Sequence, residues 1–143
     1  MHNLIDRSKS LQELDGQDWG EPNFHSHLVE TLHRLRRKPL KDFSIEDLRI
    51  CILQNIGLPY LMPLAIEWLE QNPLAEGDYY PGDLLVAVLR IDGSFWPTHP
   101  TVLRRVRESQ KKASSLLPPE DDACSEALAE AEKVFVARTQ HLP

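Results

Sequence analysis

The side chains of this sequence that could bind a metal ion or transfer protons are its six histidines and its carboxylates. His25 and His27 are separated by one residue, and His33 follows six residues later. A zinc site needs three or four ligands at short spacings such as HExxH or CxxC, and neither pattern occurs in the sequence. Single histidines of this kind are typical of exposed or cap-adjacent positions, so we predict no metal site.

Nucleophilic and nucleotide-dependent chemistry also lack their sequence motifs. The chain contains no GxSxG nucleophile elbow and neither of the glycine-rich loops, GxGxxG and GxxxxGK, that hold phosphates. Cys51 and Cys124 both lie among apolar residues, which is typical of reduced cysteines in a protein core. Asp78, Asp83 and Asp92 are isolated carboxylates near expected helix ends, where capping is common. The sequence therefore predicts no catalytic residue and no cofactor; a small hydrolase built from carboxylates and histidines is an alternative that no motif supports.

A cluster of acidic and aromatic residues is the strongest indication of a binding surface. Acidic residues outnumber basic ones by 22 to 16, so the chain carries a formal net charge of −6 and attracts basic partners. Between residues 67 and 92, six acidic side chains are offset only by Arg90, and Tyr79, Tyr80, Phe95 and Trp96 lie within or beside this stretch. Charge accelerates encounter and aromatic side chains supply central binding energy, so the cluster favours a surface for a basic protein. The alternative is a solvated acidic loop whose aromatic side chains belong to the core. The predicted contact residues are Glu67, Glu70, Glu76, Asp78, Tyr79, Tyr80 and Asp83.

Two basic clusters indicate a second possible function. They hold ten of the 16 basic residues, and on one common face they could contact RNA or DNA. The alternatives are the cationic end of a helix for the first cluster and a solvated helix face for the second. The clusters are Arg34, Arg36, Arg37, Lys38 and Lys41, and then Arg104, Arg105, Arg107, Lys111 and Lys112.

The elements that must position these residues are predicted to be helices. At 143 residues the chain has the length of one domain, and its apolar residues recur at helical spacing in six segments without a hairpin signal. We predict an all-α bundle of about six helices, residues 1–143 in one domain, with a structured N-terminal loop around Trp19 and a possible short helix near residues 11–14. The longest apolar run, residues 84–89, is too short to span a membrane, and no signal peptide is recognisable, so we expect a cytoplasmic protein.

Capping residues and prolines mark the first predicted helices. Ser26 suits the N-cap of a helix that carries Leu28, Leu32 and Leu35 and ends before Pro39. A capping signature at residues 44–47 begins the next helix, with Ile45, Leu48 and Ile52 on one stripe and Gly57 as its stop. A third helix places Leu61, Ala65 and Trp68 at helical spacing. Because Pro63 lacks a backbone N–H, we expect a break or an irregular first turn there.

The remaining helices are predicted from composition and charge. Pro81 and Asp83 suit the start of a helix over residues 84–91, which are nearly all apolar and for which we prefer a helix to a buried strand. A longer amphipathic helix carries Val102, Val106, Ala113 and Leu117 and stops at residues 118–119. Acidic residues 120–122 precede a final helix. Its predicted buried face is Leu128, Ala131 and Phe135.

Four segments of the chain resemble one protein family. They are DWGEP (residues 18–22), SHLVETLHRLRRKPL (26–40), IEDLRICILQNIGLPYLMPLA (45–65) and NPLAEGDYYPGDLLVAVLR (72–90). These segments resemble the immunity proteins of bacterial contact-dependent growth inhibition (CDI) systems, and NPLAEGDYYPGDLL is the most specific of them. The resemblance covers about residues 10–100, and residues 101–143 add C-terminal helices outside it.

The resemblance implies a non-enzymatic cytosolic inhibitor. In such systems a surface protein carries a C-terminal toxin domain, commonly a nuclease, which the cognate immunity protein binds and blocks. We therefore expect a one-to-one complex between a monomer of this chain and a basic toxin domain, with no direct nucleic-acid or membrane partner. The runner-up interpretation is a helical nucleic-acid-binding module that uses the two basic clusters.

Overall fold

The computed structural model describes residues 5–23, 25–116 and 123–143. Within these residues the chain forms seven α-helices, two 3₁₀ segments and no strand, which confirms the all-α prediction. The six predicted helices correspond to α2–α7, and the possible short helix is α1. The α-helices are α1 (Leu11–Asp15), α2 (His27–Arg36), α3 (Ile45–Leu53), α4 (Leu58–Gln71), α5 (Asp83–Leu89), α6 (Pro100–Leu116) and α7 (Ala123–Thr139), and the 3₁₀ segments are Leu40–Asp42 and Gly93–Thr98.

Helix α5 lies at the centre of the fold. Each of its seven residues is buried, and its most extensive contacts are with α3 on one side and α7 on the other. A segment enclosed on all sides has no polar face, which explains the continuous apolar run of its sequence. The preference for a helix over a strand at residues 84–91 is therefore confirmed, although the helix begins at Asp83, two residues after Pro81.

Side-chain caps fix the starts of α2 and α3 as the sequence predicts. The Ser26 hydroxyl accepts a hydrogen bond from the Val29 backbone N–H at 3.1 Å. Ser44 and Asp47 form a reciprocal capping box, with the Asp47 N–H donating to the Ser44 hydroxyl at 3.0 Å and the Ser44 N–H donating to the Asp47 carboxylate at 3.1 Å. Each cap satisfies N–H groups that the helix itself leaves unpaired.

The expectation of a break or an irregular first turn at Pro63 is wrong. Helix α4 runs without interruption from Leu58 to Gln71 with Pro63 inside it. A proline there removes one backbone hydrogen bond and disfavours the helix by about 3 kcal/mol. The same helix buries Leu61, Met62, Ala65 and other apolar side chains, and this burial offsets the local cost.

Helix α7 completes the core. Leu128, Ala131 and Phe135 are all buried, which confirms the predicted face. The Phe135 ring packs edge-on against the buried Trp96 ring, with 5.4 Å between their centres. The Arg138 guanidinium donates to the carbonyls of Arg90 and Ile91 at the end of α5, at 2.8 and 2.6 Å. The acidic residues 120–122 predicted to precede α7 lie outside the described residues.

The N-terminal loop is held against α2 by a buried arginine. Arg36 donates to the Asp15 carboxylate at 2.7 Å and to the Gln17 carbonyl at 2.8 Å, and its guanidinium lies 4.6 Å from the centre of the Trp19 ring. Trp19 also contacts the His33 ring edge-on. The prediction that Trp19 packs a structured loop onto the body is therefore confirmed.

Two residues of the predicted apolar stripes are exposed instead of buried. Leu28 on α2 and Trp68 on α4 each expose 42% of their surface. Among the predicted stripe positions of α6, Val106 and Ala113 are buried, Val102 is half-buried, and Leu117 lies outside the described residues. None of the helices in the described ranges is long and apolar enough to cross a membrane.

Candidate protein-binding surface

Residues 76–80, which we call the acidic loop, precede α5 and are shaped by its first residue. The Asp83 carboxylate is buried and accepts hydrogen bonds from the backbone N–H groups of Gly77 at 2.6 Å, Tyr79 at 3.1 Å and Tyr80 at 3.4 Å. Three main-chain donors on one carboxylate fix the path of the loop. Asp83, predicted as a contact residue, thus lies inside the molecule and holds the loop that carries the others.

A second carboxylate fastens the acidic loop to α3. Glu46 accepts from the Asp78 backbone N–H at 2.9 Å and receives both Nε and Nη2 of Arg49, at 2.7 and 2.6 Å. Arg49 holds the pKa of the Glu46 carboxyl below its usual value, with help from the Asp78 N–H, and Glu46 in turn raises the pKa of Arg49. The Arg49 guanidinium also lies 3.9 Å from Asp83 and 4.5 Å from the centre of the Tyr79 ring. Charge-assisted bonds and a cation–π contact therefore hold the loop in one conformation.

Three of the predicted contact residues project from this fastened loop. Glu76 and Asp78 are exposed, and Tyr79 exposes 68% of its surface. Within the described part of the chain, neither the Glu76 nor the Asp78 carboxylate has an ion-pair partner. Tyr80 is half-buried against the core, and burial, followed by the nearby Asp83 charge, raises the pKa of its phenol. The loop thus presents two uncompensated negative charges and one aromatic ring.

The two glutamates predicted on α4 are already paired. Glu67 accepts from Arg7 at 2.8 Å, and Glu70 accepts from Arg105, whose Nε lies 2.8 Å away. These arginines hold the pKa of each carboxyl below its usual value. Both pairs are about half exposed, where ion pairs contribute at most about 1 kcal/mol. Glu67 and Glu70 therefore offer much less free negative charge than the acidic loop.

Three adjoining depressions connect these residues across one face. The first, about 230 Å³, lies beside Glu67 and Trp68; the second, about 350 Å³, extends from Trp68 to Glu76 and Asp78. The third, about 300 Å³, lies between α2, α3 and the acidic loop. Trp68 lines the first two, while Glu46 and Asp78 line the last two, so the surface is continuous.

Sequence reasoning missed the exposed apolar residues of this surface. Leu28 and Trp68 fit the apolar spacing of their helices and were expected to be buried with the other members of each stripe. Leu53 carried a signal that could have identified it, because it follows Ile52 and falls outside the stripe of Ile45, Leu48 and Ile52. Leu53 exposes 42% of its surface and lines the third depression with Leu28.

Five of the ten basic side chains in the two clusters make internal hydrogen bonds or ion pairs within the described residues. In the first cluster Arg36 binds Asp15, Lys38 binds Asp47 at 2.6 Å, and Arg37 donates to a backbone carbonyl. In the second, Arg105 binds Glu70 and Arg107 donates to carbonyls near the C-terminus at 2.7, 2.8 and 3.1 Å. These contacts stabilise helix ends and connect separate segments of the chain. Such roles in the fold are the alternative to a nucleic-acid-binding face.

No chemical site accompanies the surface in the described residues. No group of three or more histidine, cysteine or acidic side chains in the described ranges could hold a metal ion. Cys51 is buried and Cys124 is half-buried, and both are free thiols. Burial raises the pKa of the Cys51 thiol to about 12, so this sulfur is protonated at neutral pH and is a poor nucleophile.

Comparison with known proteins gives one family. A family model described as CDI immunity proteins matches residues 13–106. The matched region includes the acidic loop, Glu46, Arg49, Asp83 and the helices that carry them. Among curated proteins, no match is found.

Proposed function

The chain belongs to the family of CDI immunity proteins, and from this membership we propose that it binds its cognate toxin domain through the acidic loop. As a member of this family the chain is a toxin-neutralising inhibitor and not an enzyme. The observation that carries the proposed site is the pair of exposed, uncompensated carboxylates of Glu76 and Asp78, held beside Tyr79 on a loop that two further carboxylates fix.

The charge of this surface suits a nuclease toxin. A nuclease needs a basic groove to bind phosphates, and an acidic protein can occupy such a groove in place of the substrate. The chain's net charge of −6 would also accelerate its encounter with a basic toxin. We therefore propose that the toxin is a nuclease, that one inhibitor monomer binds one toxin domain, and that binding takes place in the cytoplasm.

Fixation of the loop supports high affinity. Binding is weakened by the entropy lost when mobile side chains and loops become ordered, and a loop that is already ordered avoids much of this cost. The hydrogen bonds from Gly77 and Tyr79 to Asp83, and from Asp78 to Glu46, order the backbone before any partner arrives. Such preorganisation is what an inhibitor requires to compete with a substrate.

A titration with the toxin tests the proposal. The C-terminal domain of the polypeptide encoded immediately upstream, inactivated if necessary, would be titrated with this chain in a calorimeter. We expect one-to-one binding with a nanomolar or tighter Kd, equivalent to about −12 kcal/mol. No heat and no co-elution with a folded upstream domain would contradict the proposal.

A second assay separates the nuclease claim from the binding claim. The active toxin domain would be incubated with total RNA and with plasmid DNA, alone and with an equimolar amount of this chain. We expect degradation of one substrate by the toxin alone and protection by the inhibitor. A toxin that binds tightly but leaves both nucleic acids intact would refute the nuclease assignment and leave the inhibitor function standing.

A further inference from the structure

The third depression combines exposed apolar side chains with an aromatic ring held in place. Leu28 on α2, Ile50 and Leu53 on α3, and Tyr79 on the acidic loop line it together, and we call it the leucine–tyrosine groove. Leu28 and Leu53 each expose 42% of their surface and Tyr79 exposes 68%. Single exposed apolar residues are common on proteins, but three that line one depression are typical of an interaction surface.

The charges around the groove define the chemistry of its occupant. Arg49 lines the groove, but it is bound to Glu46 by two hydrogen bonds and lies near Asp83, so its charge is compensated. Asp78 also lines the groove and has no ion-pair partner within the described ranges. The groove therefore combines apolar and polar side chains with a net negative rim, and its apolar part together with Asp78 complements an apolar side chain next to a basic one.

Tyr79 has the properties of a binding anchor. The Arg49 guanidinium, 4.5 Å from its ring centre, restricts the ring, while Asp83 fixes its backbone N–H. An aromatic side chain that is already oriented loses little entropy on binding, and tyrosines of this kind are enriched among the residues that dominate interfaces. With a volume of about 300 Å³, the groove is at the lower limit of pockets that enclose a ligand.

We propose that the leucine–tyrosine groove receives an apolar side chain of the toxin domain whose neighbouring lysine or arginine pairs with Asp78. This inference rests on the proposed function and adds to it the chemistry of the recognised segment. Charge on the acidic loop then governs how fast the toxin arrives, and the groove governs how slowly it leaves.

Alanine substitutions in and outside the groove test this inference with the toxin domain as the probe. The groove variants are Tyr79→Ala and the double variant Leu28→Ala plus Leu53→Ala. The matched controls are Leu116→Ala and Val136→Ala, which shorten side chains that expose 57% and 51% of their surface and do not line the groove. Because all these positions are exposed, we expect small changes in stability, checked by the Tm of each variant.

We expect both groove variants to weaken binding while the controls do not. Tyr79→Ala should raise the Kd by about 30-fold or more, and the double leucine variant by about tenfold or more, mainly through faster dissociation. The controls should stay within about threefold of the unaltered protein.

Failure of the proposed function and failure of the groove inference would give different experimental results. If the unaltered protein does not bind the toxin, the proposed function itself is wrong. If it binds tightly but the double leucine variant binds equally well, the groove inference is wrong and the function stands. Sedimentation of the protein alone adds a third result: a dimer that the double leucine variant abolishes would assign the groove to a second copy of this chain and overturn the inference.

Discussion

Arg49 donates hydrogen bonds from Nε and Nη2 to the two carboxylate oxygens of Glu46, at 2.7 and 2.6 Å. Both side chains are largely buried, with 13% and 14% of their surface exposed. The same Glu46 carboxylate accepts the backbone N–H of Asp78. One ion pair within α3, together with Asp83, therefore holds a loop 32 residues later in the chain.

Replacing Glu46 by Gln should destabilise the protein in a pH-dependent manner. Arg49 lowers the pKa of Glu46 in the folded state, so this carboxylate contributes stability above the ordinary glutamate pKa of about 4.3 and loses it as the pH falls through the lowered value. We expect Glu46→Gln to lower the free energy of unfolding by about 1–3 kcal/mol at pH 7. Urea denaturation between pH 3 and pH 8 measures the difference, which should shrink in acid.

Glu126→Gln is the matched control for this experiment. Glu126 is exposed, and no hydrogen bond or ion pair of its carboxylate occurs within the described ranges. We expect its unfolding free energy to stay within about 0.5 kcal/mol of the unaltered protein at all pH values. A Glu46→Gln penalty that grows as the pH falls would contradict the proposed role of the Arg49 pair.

Gly77→Ala should disrupt the attachment of the acidic loop. A Cβ atom at this position would lie 2.5 Å from Oε1 of Glu46 and 3.2 Å from a carboxylate oxygen of Asp83. Both carboxylates hold the loop and cannot both move away without breaking hydrogen bonds to it. We expect a loss of about 1–3 kcal/mol in the free energy of unfolding, together with faster amide exchange at residues 77–80.

Gly93→Ala separates this steric effect from the general cost of replacing glycine. Neither glycine has a positive φ, and the atoms nearest to a Cβ at Gly93 would be those of the Arg138 side chain, at an ordinary 3.5 Å. Alanine also lowers the entropy of the unfolded chain, so Gly93→Ala should be neutral or stabilising by up to about 1 kcal/mol. Equal losses in the two variants would show that Gly77 is not required for steric reasons.

Charge reversal at Glu76 and Asp78 should slow association with the toxin domain. The double change to lysine shifts the net charge from −6 by +4 to −2 and removes the two uncompensated charges of the acidic loop. In stopped-flow mixing at low salt we expect the association rate to fall about tenfold or more, and its dependence on salt to weaken.

The control for this prediction is Glu108→Lys plus Glu126→Lys, which changes the net charge by the same amount at two exposed positions on α6 and α7. If association depends on the local charge of the loop, this control should retain most of the rate. Equal slowing in both double variants would assign the effect to overall charge and remove Glu76 and Asp78 from the contact.

Much of the fold could be predicted from the sequence because local signals determine it. Ser26 and Ser44 cap helices through hydrogen bonds to backbone N–H groups three residues later, and the unbroken apolar run of α5 follows from its burial. The sequence did not predict that the helix continues through Pro63. The energetic cost of the proline is local, whereas the burial of apolar side chains along α4 that offsets it depends on tertiary packing.

The candidate binding surface was only partly predictable, because it depends on contacts between distant segments. The acidic and aromatic residue types indicated Glu76, Asp78 and Tyr79 as candidates. The sequence could not show that Glu67 and Glu70 are already paired with arginines far away in the chain, Arg7 and Arg105. Nor could it show that Leu28, which fits the apolar stripe of its helix, is exposed. Leu28 and Leu53 become neighbours only when α2 and α3 pack together.

Phe135→Ala tests whether α7, which begins beyond the family match, is part of the same cooperative core. Phe135 is 2% exposed and its ring centre lies 5.4 Å from that of the fully buried Trp96. Removing a buried phenylalanine side chain leaves a cavity and typically costs about 3–5 kcal/mol.

The neighbouring Val136 is exposed on the same helix, so Val136→Ala should change stability by less than about 0.5 kcal/mol. Denaturant unfolding followed by tryptophan fluorescence and by circular dichroism should give one coincident transition, shifted to lower denaturant only in Phe135→Ala. Two separate transitions, or an unshifted one in Phe135→Ala, would mean that the matched region folds without α7.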